Sequence, residues 1–124
     1  MRKILYTCRH GSGWITANTH LPIEVQRFMF EYKPLVEYVE NGGKPEAVGL
    51  KQLDNGQYVE DIKCPIVQQM VDEMQKRWPN IDINSVNTSG SKNLHVMEVP
   101  DNAAVKVTEY DGQEDIHYTC DVWL

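Results

Sequence analysis

Ala104-Val105-Lys106-Val107-Thr108-Glu109-Tyr110-Asp111-Gly112-Gln113-Glu114-Asp115-Ile116 is the stretch that decides the fold. At its centre stands Asp111-Gly112, a favoured two-residue hairpin turn. The flanks read as strands, Ala104–Glu109 before the turn and Asp115–Trp123 after it. In the second strand Ile116, Tyr118, Cys120, Val122 and Leu124 face one way, and His117, Thr119, Asp121 and Trp123 the other. Upstream, Leu94–Val99 reads as a further strand that turns at Pro100-Asp101-Asn102 into the hairpin. The tail is a predicted antiparallel meander.

Working towards the N-terminus, residues 84–93 form a long polar loop, the kind that is either functional or disordered. Before it, Cys64-Pro65 opens a helix that carries Val67, Met70, Val71, Met74 and Trp78 on one face and stops at Pro79. Residues 44–63 are polar around Asp54-Asn55-Gly56 and fit either an irregular connection or a small hairpin. A long helix precedes them. It opens near Pro22 and shows Leu21, Val25, Phe28, Tyr32, Val36 and Val39 at helical spacing, with Ile23 and Phe30 beside that stripe. Pro34 should kink or split it near Lys33, and Asn41-Gly42-Gly43 should end it. Residues 3–8 read as a strand, which Trp14-Ile15-Thr16 either continues or pairs back on. Two main helices against an antiparallel sheet, made of the N-terminal strand and the meander, give an α+β fold with one domain over 1–124.

A chain of 124 residues can bury a sizeable core without disulfide or metal support. No stretch resembles a signal peptide or reaches transmembrane length. Cys8, Cys64 and Cys120 are an odd set without a CxxC pair, so they read as reduced thiols of a cytosolic protein. The net charge of −6 argues against polymeric DNA or RNA, whose binding rests on a basic footprint. A small nucleotide stays possible, because a few amides and one or two arginines can hold it.

Arg9-His10-Gly11-Ser12-Gly13-Trp14 carries the chemistry. Two glycines around a serine let the backbone turn sharply and bring amide N–H groups close to a ligand. A cation precedes that turn and a large aromatic follows it. Cys8, His10, His117 and Cys120 could meet if the first and last strands pair, but Cys-x-His and His-x-x-Cys are not standard zinc spacings. Accidental pairs are the better reading. His10-Gly11-Ser12 and His117-Tyr118-Thr119 are both H-x-[ST], the pattern of two-histidine phosphoesterases, with one imidazole as base and one as acid. The glycines around Ser12 suit a turn, and that chemistry wants His10 on a strand; coincidence is preferred and the enzyme is the alternative. Glu109, Asp111, Glu114 and Asp115 read as a solvated acidic turn. Arg27 beside Phe28 and Arg77 beside Trp78 are possible stacking pairs or snorkelling surface arginines. Asn87, Ser89, Ser91 and Asn93 offer short polar groups for ribose and phosphate.

Several of these stretches together resemble a known family. Lys3-Ile4-Leu5-Tyr6 with Gly11-Ser12-Gly13-Trp14, the segment Phe28–Leu35, Pro65–Gln69, and Val107–Glu114 are similar to the Thoeris anti-defence proteins of phages and prophages. The likeness spans most of the chain apart from residues 44–63. One departure stands before the glycine loop, where Thr7-Cys8-Arg9-His10 replaces the family's usual Ser-Pro-Gly.

The resemblance implies a molecular sponge in the cytoplasm of an infected bacterium. Such a protein binds a cyclic ADP-ribose isomer without cleaving it, and related proteins also take cyclic oligonucleotides at a second kind of site. It implies no catalytic residue, no cofactor and no metal. On this reading Arg9, His10, Gly11, Ser12, Gly13 and Trp14 form a phosphate-binding loop, while Arg27, Phe28, Asn93, Tyr110 and Asp111 contact base and ribose. A homo-oligomer is expected, built through exposed sheet edges. Gly13→Trp and Asn93→Trp are expected to abolish binding with little effect on the melt. The rivals are the two-histidine phosphoesterase and an acidic inhibitor of a host protein.

Overall fold

In chain order the elements are β1 (Arg2–Thr7), α1 (Ile23–Phe30), α2 (Lys33–Glu40), β2 (Gly49–Gln52), β3 (Tyr58–Asp61), α3 (Pro65–Arg77), β4 (Leu94–Val99), β5 (Ala104–Tyr110) and β6 (Gln113–Thr119). The computed structural model describes residues 1–8, 13–45, 49–61 and 64–119. The architecture is α+β. No helix among the described residues is long and apolar enough to cross a membrane.

Proline sets the helix boundaries. Pro34 splits the expected long helix: α1 ends at Phe30, Tyr32 is extended, and α2 begins with Pro34 in its first turn. There the missing N–H has no helical partner to lose. Pro65 opens α3 in the same way, from Cys64 as N-cap. Asn41 caps α2, and Gly42 follows with φ +88°, the left-handed value that glycine adopts freely. Gly43 has a different constraint: a Cβ there would lie 2.6 Å from the Tyr38 ring.

The strands form three antiparallel pairs among the described residues, β1 with β4, β2 with β3, and β5 with β6. Arg2 stands opposite Val99 and Thr7 opposite Leu94. The hairpin alternative for residues 44–63 is therefore the one present, turning at Asp54-Asn55-Gly56. The meander is not continuous, because no ladder joins β4 to β5. Between them Ala103 N–H closes a tight turn on the Pro100 carbonyl, and the Arg2 guanidinium takes the Ala103 carbonyl at 3.4 Å. The turn redirects the chain, so β5 pairs with β6 alone. Trp14-Ile15-Thr16 is not a strand either; Thr16–Asn18 is a 3-10 turn.

The core lies where β1 and β4 meet the three helices. Leu5, Val25, Met29, Leu35, Met70 and Met74 are fully buried there. Val67 and Val71 follow the expected face of α3, and Trp78 is partly buried. Phe30 is buried, whereas Ile23 is 68% exposed. The polar stretch 84–93 is shaped by 3-10 turns at Ile83–Ser85 and Ser89–Asn93. Buried Asn18 brackets it. Its Nδ2 donates to the Trp14 and Asn87 carbonyls at 2.7 and 2.8 Å, and its Oδ1 accepts from Asn87 N–H at 2.8 Å.

Candidate functional site

The residues around the glycine stretch converge on one side chain, Glu114 of β6, which is only 1% exposed. Its Oε1 accepts the Thr7 N–H at 2.9 Å. Its Oε2 accepts from Trp14 N–H at 3.2 Å, Thr16 N–H at 2.7 Å and the Thr16 hydroxyl at 2.9 Å. Among the described residues no cation pairs with it, so directed donors compensate its burial. The reading of Glu114 as a solvated turn residue is thus corrected: its position next to the tight turn points it inward against β1. Thr7 adds a hydroxyl bond of 2.6 Å to the Gly112 carbonyl. Both ends of the segment between Thr7 and Trp14 are thereby tied to the β5–β6 turn.

Arg9, His10, Gly11 and Ser12 lie outside the described residues. Gly13 is packed so closely that a Cβ would stand 2.5 Å from Thr16 Oγ1 and 3.2 Å from Glu114 Oε2. The expectation that Gly13→Trp leaves the melt unchanged is therefore replaced by one of broken Glu114 contacts. Trp14 is fully buried, and its indole N–H has no partner among the described residues. In this structure it belongs to the core, where the chain after Gly13 turns inward, and presents no exposed ring face. Tyr110 and Asp111 stand at the exposed hairpin tip, close in sequence to the Gly112 that Thr7 holds. Asp111 and Gly112 have φ of 49° and 85°. Positive φ at both positions is what a type I′ turn requires.

Asn93 comes to the same region, because its carbonyl accepts Cys8 N–H at 3.3 Å just beyond the β1–β4 ladder. It lines a cleft of about 280 Å³ with Gly42, Gly43, Lys44, Lys92 and His95. Among the described residues no carboxylate lines this cleft, and neither lysine has an ion-pair partner. His95 lies opposite Tyr6 in the ladder, their ring centroids 6.0 Å apart. Burial is the main cause that raises the Tyr6 phenol above its ordinary value, with nearby negative charge adding to it.

Arg27 and Phe28 are not brought to this cleft. They lie on α1 beside α3, where the Arg77 guanidinium covers the Phe28 ring at 4.7 Å and Trp78 meets its edge at 5.4 Å. The stacking partner of Phe28 is thus Arg77, not its neighbour Arg27. A cavity of about 330 Å³ there carries Glu31 and Glu73 among its arginines. His117 is exposed on β6, within 3.3 Å of Thr108 Oγ1. His10 and Cys120 fall outside the described residues, and no metal-holding group of His, Cys, Asp or Glu occurs among the described ones.

Sequence reasoning missed Lys44, Lys92 and His95 as partners of Asn93, and Glu114 as their neighbour's anchor. The Gly42-Gly43-Lys44 run was the available signal, a helix stop followed by a cation. Comparison with protein-family models, with curated proteins and with solved structures gives no match to this chain.

Proposed function

We propose that this chain binds and sequesters a small cyclic nucleotide signal of the cyclic ADP-ribose type without cleaving it. One observation carries the reading: in a chain of net charge −6, Lys44, Lys92 and His95 line a cleft with no carboxylate among its described residues. Ammonium groups and the Asn93 amide suit a phosphate and its ribose. The resemblance supplies the identity of the nucleotide; the cleft supports an anionic ligand. A pyrophosphate bridging Lys44 and Lys92 would have its ribose beside Asn93. Sequestration requires a slow off-rate, which rigid walls favour by lowering the ordering cost on binding.

The test is to incubate the protein with cyclic ADP-ribose isomers and cyclic oligonucleotides, filter, heat-denature and chromatograph both fractions. Retention followed by release of intact ligand is the expected result. Lys92→Glu and Lys44→Glu should each weaken retention about tenfold or more, as loss of a charge-assisted contact does. Release of a linear product would turn the reading to the two-histidine phosphoesterase. If no ligand is retained the sponge reading fails, and the acidic inhibitor of a host protein becomes the next subject, by pull-down.

A further inference from the structure

A second cavity, of about 460 Å³, lies between α1 and the β5–β6 hairpin. That volume falls within the range of small-molecule sites. Its apolar walls are Ile4, Ile15, Ile23, Phe30, Val105 and Val107. Folding covers this surface incompletely, since Val105 and Val107 are only partly buried and Ile23 is 68% exposed.

The polar residues of the lining are already sorted. Arg2 and Glu31 form a bidentate pair, with Nε to Oε1 at 3.1 Å and Nη2 to Oε2 at 3.0 Å. Thr16 is fixed by its two bonds to Glu114. Gln26 spends its Nε2 on the Thr19 and Leu21 carbonyls, which leaves its amide oxygen as an acceptor. The Arg27 guanidinium has no carboxylate partner among the described residues. With Glu31 paired to Arg2, Arg27 is the one cation of the described lining without an ion-pair partner.

We propose that this cavity is a binding site for a small amphipathic monoanion, a flat apolar ring system bearing one carboxylate or sulfonate. The ring packs between Ile23 and Phe30 of α1 and Val105 and Val107 of β5. The acid group meets Arg27, where a charge-assisted bond to a planar donor is strong. A single free cation on apolar walls disfavours a pyrophosphate, so this site is distinct from the Lys44–Lys92 cleft and does not rest on the function proposed there. The two anchored pairs hold the walls in place before a ligand arrives, which lowers the ordering cost of binding.

The experiment uses two fluorescent probes of one ring frame, 8-anilinonaphthalene-1-sulfonate and the uncharged N-phenyl-1-naphthylamine, titrated into the folded protein. Saturable binding is expected, with the sulfonate tighter than the neutral probe. Arg27→Glu should weaken the sulfonate about tenfold or more and leave the neutral probe unchanged. Ile23→Glu, at an exposed position, should weaken both. Circular dichroism melts accompany each variant, because partly unfolded chains also take up such probes. Four results would each overturn the proposal: no saturable signal, equal binding of both probes, indifference to both variants, or enhancement that follows only a lowered melt. A dimer that Ile23→Glu dissociates, with no probe bound, would assign the cavity to a second copy and overturn it too.

Discussion

Two separate segments, the end of β1 and Trp14–Thr16, meet on the Glu114 carboxylate, and the cost of removing it follows from what it would strand. Thr7, Trp14 and Thr16 would each keep a backbone N–H pointing into an emptied site. A buried donor left unpaired costs about 1–3 kcal/mol. Glu114→Ala should therefore destabilise the protein by about 3 kcal/mol or more, read as a lowered midpoint in urea. Glu114→Gln can keep an oxygen for Trp14 and Thr16 while turning its amide N–H₂ towards the Thr7 N–H, so it should lose a smaller part of that stability. Gly13→Ala acts on the same contacts from the other side, pushing Thr16 Oγ1 away from Oε2. The tyrosines give a separate prediction at this scale. Burial raises the Tyr6 phenol above its ordinary 10.0, and burial together with the Glu73 hydrogen bond raises Tyr32. A raised folded-state value favours the neutral phenol. The stability it carries is whole below pH 10 and is lost as pH rises from there through the folded value. Urea midpoints above pH 10 should fall less steeply in Tyr6→Phe than in the unaltered chain.

At the scale of elements, the β5–β6 hairpin depends on its turn. Gly112 has φ +85° and supplies the carbonyl that Thr7 holds. A β-branched side chain in that conformation costs about 1–2 kcal/mol. Gly112→Val should lower the melting temperature by several degrees and weaken amide protection at Thr7 and Trp14 together, measured by hydrogen exchange. Equal protection in both proteins would show that the turn and the N-terminal segment are not coupled. The elements that could be read from the sequence are those whose chemistry is local. Pro34 divides α1 from α2, Pro65 opens α3, and Asp111-Gly112 turns the hairpin, each through its own φ preference or missing donor. The pairing of β1 with β4 and the isolation of β5–β6 were not legible in the same way. They are made by contacts across large sequence separations, such as Arg2 reaching both Glu31 and the Ala103 carbonyl, that no local pattern announces. Glu114 was misread for the same reason. Beside a turn an acidic residue is ordinarily solvated, and its donors lie about a hundred positions away.

For the whole molecule, the distribution of charge matters more than its sum. The net −6 repels an approaching nucleotide, while Lys44 and Lys92 gather positive charge in one cleft. Binding there should weaken as salt is raised, since exposed lysines are screened within about 8–10 Å at physiological ionic strength. Retention measured from low to high sodium chloride should fall in parallel with Lys92→Glu; a salt-independent affinity would remove the lysines from the proposed contact. Asn93 could be singled out in the sequence because a polar loop advertises itself. Its companions could not, because Lys44 and His95 arrive from the end of α2 and from β4.

The wiring also dictates an order of events during synthesis. β1 is made well before its partner strand, Leu94–Val99. Trp14 waits still longer, for a side chain one hundred residues further on. Until Leu94–Val99 has been made, Arg2–Thr7 has no strand to pair with, and such open edges template non-native pairing. While the residues between the two strands are made, the first strand stays open to such pairing. A chain truncated before Gly112 would carry a first strand whose Thr7 lacks both of its partners beyond the ladder.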